Sequence, residues 1–141
     1  MAFRCRIPVR FGDIDQAGIA YYPTLFDHCH AAFEEFWAKA LKRPYHKVML
    51  KERLGFPTVH LEADFQRPLK FGDLLTVEVT VARLGRSAVV FRYRASAKGR
   101  AAFSVLVTTV CVDMRTFRAR PVPQAYRRLL TRHLSPLPAS P

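Results

Sequence analysis

The sequence predicts an α+β domain in which one long helix is buried against an antiparallel sheet. Three observations predict it. A single aromatic stripe recurs at helical spacing over 24–42, the segments after Phe56 carry apolar residues at every second position, and short Gly-containing turns separate those segments. Turns that tight leave no room for the crossover of a dozen or more residues that parallel neighbours need, so consecutive strands pair antiparallel.

The elements follow in order. Phe3, Cys5, Ile7, Val9 and Phe11 alternate with other residues and mark a first strand. GDIDQAG is then dense in turn formers and reads as a loop. In the helix, Leu25, Phe26, Cys29, Phe33, Phe36, Trp37 and Leu41 fall at three- and four-residue steps and form one wide apolar stripe. Pro23 occupies the first turn, where its missing N–H costs nothing. Asp27 near the start and Lys39 and Lys42 near the end complement the helix dipole, and Glu35 faces Lys39 one turn away. Further on, Leu75, Val77, Val79 and Val81 form one strand face, and Val89, Phe91, Tyr93 and Ala95 another. AAFSVLVTTVCVD is almost continuously apolar and predicts a central strand covered on both faces. A short strand over 117–120 follows, and Pro123 opens a C-terminal helix with Tyr126, Leu129, Leu130 and Leu134 on one side. The sheet should hold five or six strands within a single domain over 1–134. The Pro-rich tail over 135–141 is expected to fray.

Composition narrows the class. Half of the 141 residues are hydrophobic and 12% are aromatic, which excludes intrinsic disorder. No apolar run approaches the ~20 residues that span a bilayer, and MAFRCRIPVRF lacks the apolar core of a signal peptide. Cys5, Cys29 and Cys111 are odd in number and lack CxxC spacing, so reduced thiols in a cytoplasmic protein are expected, with no disulfide and no metal. The charge of +12 suits an anionic partner: nucleic acid, a membrane surface or a phosphorylated small molecule. No nucleic-acid recognition motif accompanies it, and neither nucleic acid nor stable membrane association is expected.

The chemistry concentrates in RFGDIDQAGIAYYP, residues 10–23. Asp13 and Asp15 lie just ahead of the long helix, whose first N–H groups favour developing negative charge. Acyl transfer needs that pairing: a carboxylate that attacks a carbonyl or activates water, and N–H donors for the resulting oxyanion. On chemistry alone two plainer readings stand beside it. The pair could serve as a helix cap and turn, or it could bind Mg²⁺, although no further acidic cluster accompanies it.

The run RFGDIDQAGIAYYPTLFDHCHAAFEEFW resembles the opening of the 4-hydroxybenzoyl-CoA thioesterase family, with its D-x-D-x-x-G motif, hydrophobic pair and aromatic residue ahead of a long helix. The likeness continues through LEADFQRPLKFGDLLTVEVTVARLGRSAVVFRY and ends in VTTVCVDMRTFRARPVP. The resemblance implies the hotdog fold, an antiparallel sheet wrapped around one central helix, and the hydrolysis of an acyl-CoA, with an aromatic acyl group such as benzoyl or 4-hydroxybenzoyl. It implies that Asp15 is the catalytic carboxylate, as nucleophile or general base. Asp13 would support the loop, Gly18 would permit its tight path, and the backbone N–H of Tyr22 would polarise the thioester carbonyl. It implies that Arg86, Arg118 and Arg120 grip the CoA phosphates, that no cofactor is used, and that the chain forms homodimers or homotetramers. Read from their own positions, His30 is a candidate to line the substrate site or to face solvent, and His60 to line the acyl pocket or to be a hydrogen-bonded structural histidine. Short-chain acyl-CoA thioesterases of the Tol–Pal type carry His where this chain has Pro23, so an Asp–His mechanism is not expected. Those enzymes and a non-catalytic acyl-CoA-binding hotdog domain are the alternatives. Asp27, His28, Cys29 and His30 include metal-ligand types, but neighbours two apart on a helix face different ways.

Overall fold

The computed structural model describes residues 1–137. Strand β1 (Phe3–Pro8) leads into a 3-10 turn (Phe11–Asp13), a loop and helix α1 (Tyr22–Glu35), which a π-helical turn over Phe36–Ala40 prolongs. Helix α2 (Tyr45–Leu50) and strand β2 (Leu54–Gly55) precede β3 (Thr58–Phe65), β4 (Leu74–Leu84), β5 (Ala88–Ala97) and β6 (Arg100–Val110). Strands β7 (Val112–Asp113) and β8 (Arg118–Ala119) and helix α3 (Gln124–Thr131) complete the chain. Residues 138–141, most of the tail expected to fray, lie outside the described residues. Ser135 at its start is held, its N–H donating to Val81 O at 2.8 Å.

The main sheet has five antiparallel strands in the order β1-β4-β5-β6-β3. The central strand is therefore β5. The apolar β6 lies beside it with one face buried, while Ser104, Leu106, Thr108 and Val110 on its other face are only half-buried. Helix α1 covers one side of the sheet, which is why cover on both faces of β6 does not occur. That helix begins at Tyr22 rather than Thr24, because Tyr21 takes the extended N-cap conformation and Pro23 falls inside the first turn. At its other end Leu41 N–H reaches back five residues to Phe36 O, at 3.1 Å. This wider turn lets Phe36, Trp37 and Leu41 all face the core. Phe33 meets Phe91 edge-to-face at 5.4 Å, and Trp37 and Phe36 are completely buried. Each such side chain stabilises the fold by roughly 1.5–3 kcal/mol through burial.

Strand register sorts the loops into two ends. The end of β1, start of β4, end of β5, start of β6 and end of β3 lie together. The loop before α1 is tied there by Ala20 N–H to Leu69 O at 2.7 Å and by Val9 N–H to Asp73 O at 2.8 Å. The turn between β4 and β5, together with β7 and β8, lies at the other end, about 30 Å away along β5 at ~3.3 Å per residue. β3 is an open edge and exposes Val59, Leu61 and Phe65.

Candidate active site

The loop over 14–20 is a small closed unit. Ile14 and Ala20 form an antiparallel bridge, Asp15 N–H donates to Ile19 O at 3.0 Å, and Gly18 N–H donates to Asp15 O at 3.0 Å. Gly18 has φ +81°, a left-handed conformation that a Cβ would strain. One carboxylate oxygen of Asp15 accepts the Ala17 N–H at 2.8 Å. Its other oxygen accepts no hydrogen bond among the described residues, and the side chain is exposed.

Asp13 is the reverse. It is 5% exposed, and its Oδ2 accepts from the Arg10 N–H at 2.8 Å and lies 3.1 Å from His28 Nε2. Its carbonyl accepts the Tyr21 N–H at 2.8 Å and the Thr24 hydroxyl at 3.2 Å. A single residue thus joins the exit of β1, the start of α1 and the inner face of that helix. These bonds also select which N–H the helix start leaves open. Tyr21 N–H is taken by Asp13, Thr24 N–H donates to Tyr21 O at 2.9 Å, and Pro23 has none. Tyr22 N–H makes no hydrogen bond among the described residues. The loop bearing Asp15 therefore closes two residues before Tyr22, the helix-start donor left open among the described residues.

A largely apolar cavity of about 610 Å³ runs along the inner side of α1, with Phe26, Phe33, Met49, Phe56, Val105 and Phe117 on its wall. Its size falls within the usual range for small-molecule sites. Asp15, Gly18 and Tyr22 are not on that wall. The connection is aromatic: Tyr22 packs edge-to-face on Phe26 at 6.2 Å, one turn along, and Phe26 belongs to the wall. Cys29 also lines the cavity, but burial pushes its thiol up to about 12, so it stays protonated and is a poor nucleophile near neutral pH.

The remaining residues fall in different places. His30 lines the cavity, exposed at its rim and 3.4 Å from Glu34. His60 is on the opposite face of the sheet with Glu62, 3.2 Å away, because Leu61, Ala63 and Phe65 take the inward positions of β3. Arg86 and Arg120 are near one another, since Val122 N–H donates to Arg86 O at 2.9 Å and Arg118 belongs to β8 just before it. All three are at the end of the sheet far from Asp15 of the same chain. At the Asp15 end Arg67, Lys70, Lys98 and Arg100 surround a cleft of about 540 Å³. This cleft is not legible in the sequence, since its members come from two loops. His28 stands out in the sequence only as a metal-ligand type, although its place in the stripe, three residues after Leu25, marks it as buried.

A model of the thioesterase-like superfamily matches residues 9–130. The chain belongs to that superfamily. As a thioesterase it is similar to the 1,4-dihydroxy-2-naphthoyl-CoA hydrolase of Synechococcus elongatus, 31% identical over 116 residues, covering 82% of this chain and 85% of that one. A thioesterase superfamily protein from Jannaschia sp. CCS1 superposes with a TM-score of 0.90 at 29% identity, covering 95% of this chain and 94% of the other. The 4-hydroxybenzoyl-CoA thioesterase of Pseudomonas sp. strain CBS-3 superposes at 0.83 with 25% identity, covering 91% and 98%. The fold is thus the hotdog fold, and the protein is a thioester hydrolase. No helix among the described residues is long and apolar enough to cross a membrane.

Proposed function

We propose that this thioesterase hydrolyses an aromatic acyl-CoA to the free acid and CoA, with Asp15 as the catalytic carboxylate and Tyr22 N–H as the oxyanion donor. The observation that carries the reading is a carboxylate with one free oxygen on the loop that leads into a helix whose Tyr22 N–H has no partner among the described residues. The free oxygen of Asp15 adds to the thioester carbonyl, or takes a proton from a water that does. Negative charge then collects on the carbonyl oxygen, where Tyr22 N–H and the helix dipole stabilise it. The carbonyl re-forms, the C–S bond breaks, and CoA leaves as the thiolate. In the direct route water cleaves the resulting acyl–aspartyl anhydride. Asp13 keeps the loop against the helix, and Gly18 lets it close.

The acyl group would enter the cavity past Phe26, where aromatic walls suit a flat ring. The named relatives act on dihydroxynaphthoyl- and hydroxybenzoyl-CoA, which fits such a wall. The exposed apolar edge of β3, continued by Tyr21, Tyr22 and Phe117, supports a homodimer joined across that edge. Antiparallel pairing of two β3 edges brings the far end of one chain beside the Asp15 end of the other. Arg86, Arg118 and Arg120 would then hold the CoA phosphates of the partner's site. A thiol-release assay across aromatic, short-chain and long-chain acyl-CoAs tests the function. Fastest release is expected from benzoyl-, hydroxybenzoyl- or naphthoyl-CoA. A preference for short chains would reassign the substrate, and tight binding with no release would make the protein a binding domain.

A further inference from the structure

The cavity wall holds a polar atom for which the protein itself has no use. Tyr93 points inward from β5 between Val79 of β4 and Val105 of β6, is 2% exposed, and lines the cavity. Among the described residues no hydrogen bond reaches its hydroxyl. Nor is that hydroxyl sealed inside protein: the sealed and unpartnered side-chain atom among the described residues is Trp37 Nε1. The Tyr93 oxygen therefore opens onto the cavity. Of the other hydroxyls of the wall, Thr109 donates to Val89 O at 2.7 Å, Tyr45 accepts the Phe56 N–H at 2.9 Å, and that of Thr58 belongs to an exposed residue of the edge strand. Burial raises the Tyr93 pKa well above its ordinary value, so the group remains a neutral phenol able to donate.

An apolar cavity with a deep, unpartnered donor at a fixed place discriminates between ligands of the same size. An acyl group bearing an oxygen at that depth gains a hydrogen bond, whereas a hydrocarbon of equal volume buries the phenol without a partner. We infer that Tyr93 is a specificity-determining residue, whose hydroxyl donates to a hydroxyl or keto oxygen on the acyl group. The inference rests on the reading of this cavity as the acyl pocket.

The test compares kcat/KM for paired esters, the three monohydroxybenzoyl-CoAs against benzoyl-CoA and 1,4-dihydroxy-2-naphthoyl-CoA against 2-naphthoyl-CoA, in wild type and Tyr93→Phe. The wild type is expected to favour at least one oxygenated ester over its parent. Tyr93→Phe is expected to shrink that ratio roughly tenfold, the yield of one buried neutral hydrogen bond. The same contrast is expected in equilibrium binding to Asp15→Asn, which does not depend on turnover. A ratio unchanged by Tyr93→Phe in both measurements overturns the inference. Contrast in binding without turnover by the wild type would instead overturn the catalytic reading and leave Tyr93 in place. Because the hydroxyl has no partner within the protein, Tyr93→Phe should unfold at the wild-type temperature or above. A clearly lowered midpoint would reveal a structural bond and also count against the inference.

Discussion

Asp15→Asn is expected to lower kcat for the best aromatic acyl-CoA by at least ~10³, with the fold intact. The substitution is nearly isosteric. An asparagine side-chain oxygen can still accept the Ala17 N–H that Asp15 Oδ1 accepts at 2.8 Å, so the turn survives. What disappears is the negative charge on the free oxygen, which both chemical routes require. Steady-state thiol release, with thermal unfolding measured on the same samples, checks the expectation. Activity within tenfold of wild type would remove Asp15 from the reaction.

The second large effect concerns a backbone atom. Tyr22→Pro is expected to reduce kcat by ~10²–10³, the usual consequence of losing one oxyanion donor. Proline is tolerated at the first position of a helix, and Tyr21 ahead of it already holds φ −71° and ψ 126°, the extended region that a residue before proline prefers. The substitution removes the N–H with little strain. Tyr22→Ala keeps the N–H and removes only the ring that packs on Phe26, so comparing kcat between the two isolates the donor. Equal losses in both variants would assign the effect to the ring.

Much of this arrangement is legible in the chain. The stripe from Leu25 to Leu41 and the alternation from Leu75 to Val81 report local periodicity, and both elements form where their spacing requires. Turn chemistry is local as well: GDIDQAG reads as a loop, and Gly18 takes a left-handed φ within it. Other features depend on contacts between distant segments. That β3 pairs with β6, leaving β5 central, follows from packing across the sheet. The buried Asp13–His28 contact joins residues 15 apart in sequence, although helical spacing alone places His28 inward. Strand parity similarly turns His60 away from the cavity, since its neighbours Leu61 and Ala63 face inward with Val107 and Val105. The separation of Arg86, Arg118 and Arg120 from Asp15 needs the whole register to be seen. So does the open hydroxyl of Tyr93, whose strand pattern reads simply as core.

The structure of Asp15→Asn with an uncleaved aromatic acyl-CoA bound would locate the reacting carbonyl. Its oxygen is expected about 2.7–3.1 Å from Tyr22 N, with the residue 15 side chain beside the carbonyl carbon and the ring past Phe26 in the cavity. A carbonyl held by other donors, or an acyl group bound outside that cavity, would contradict the proposed mechanism.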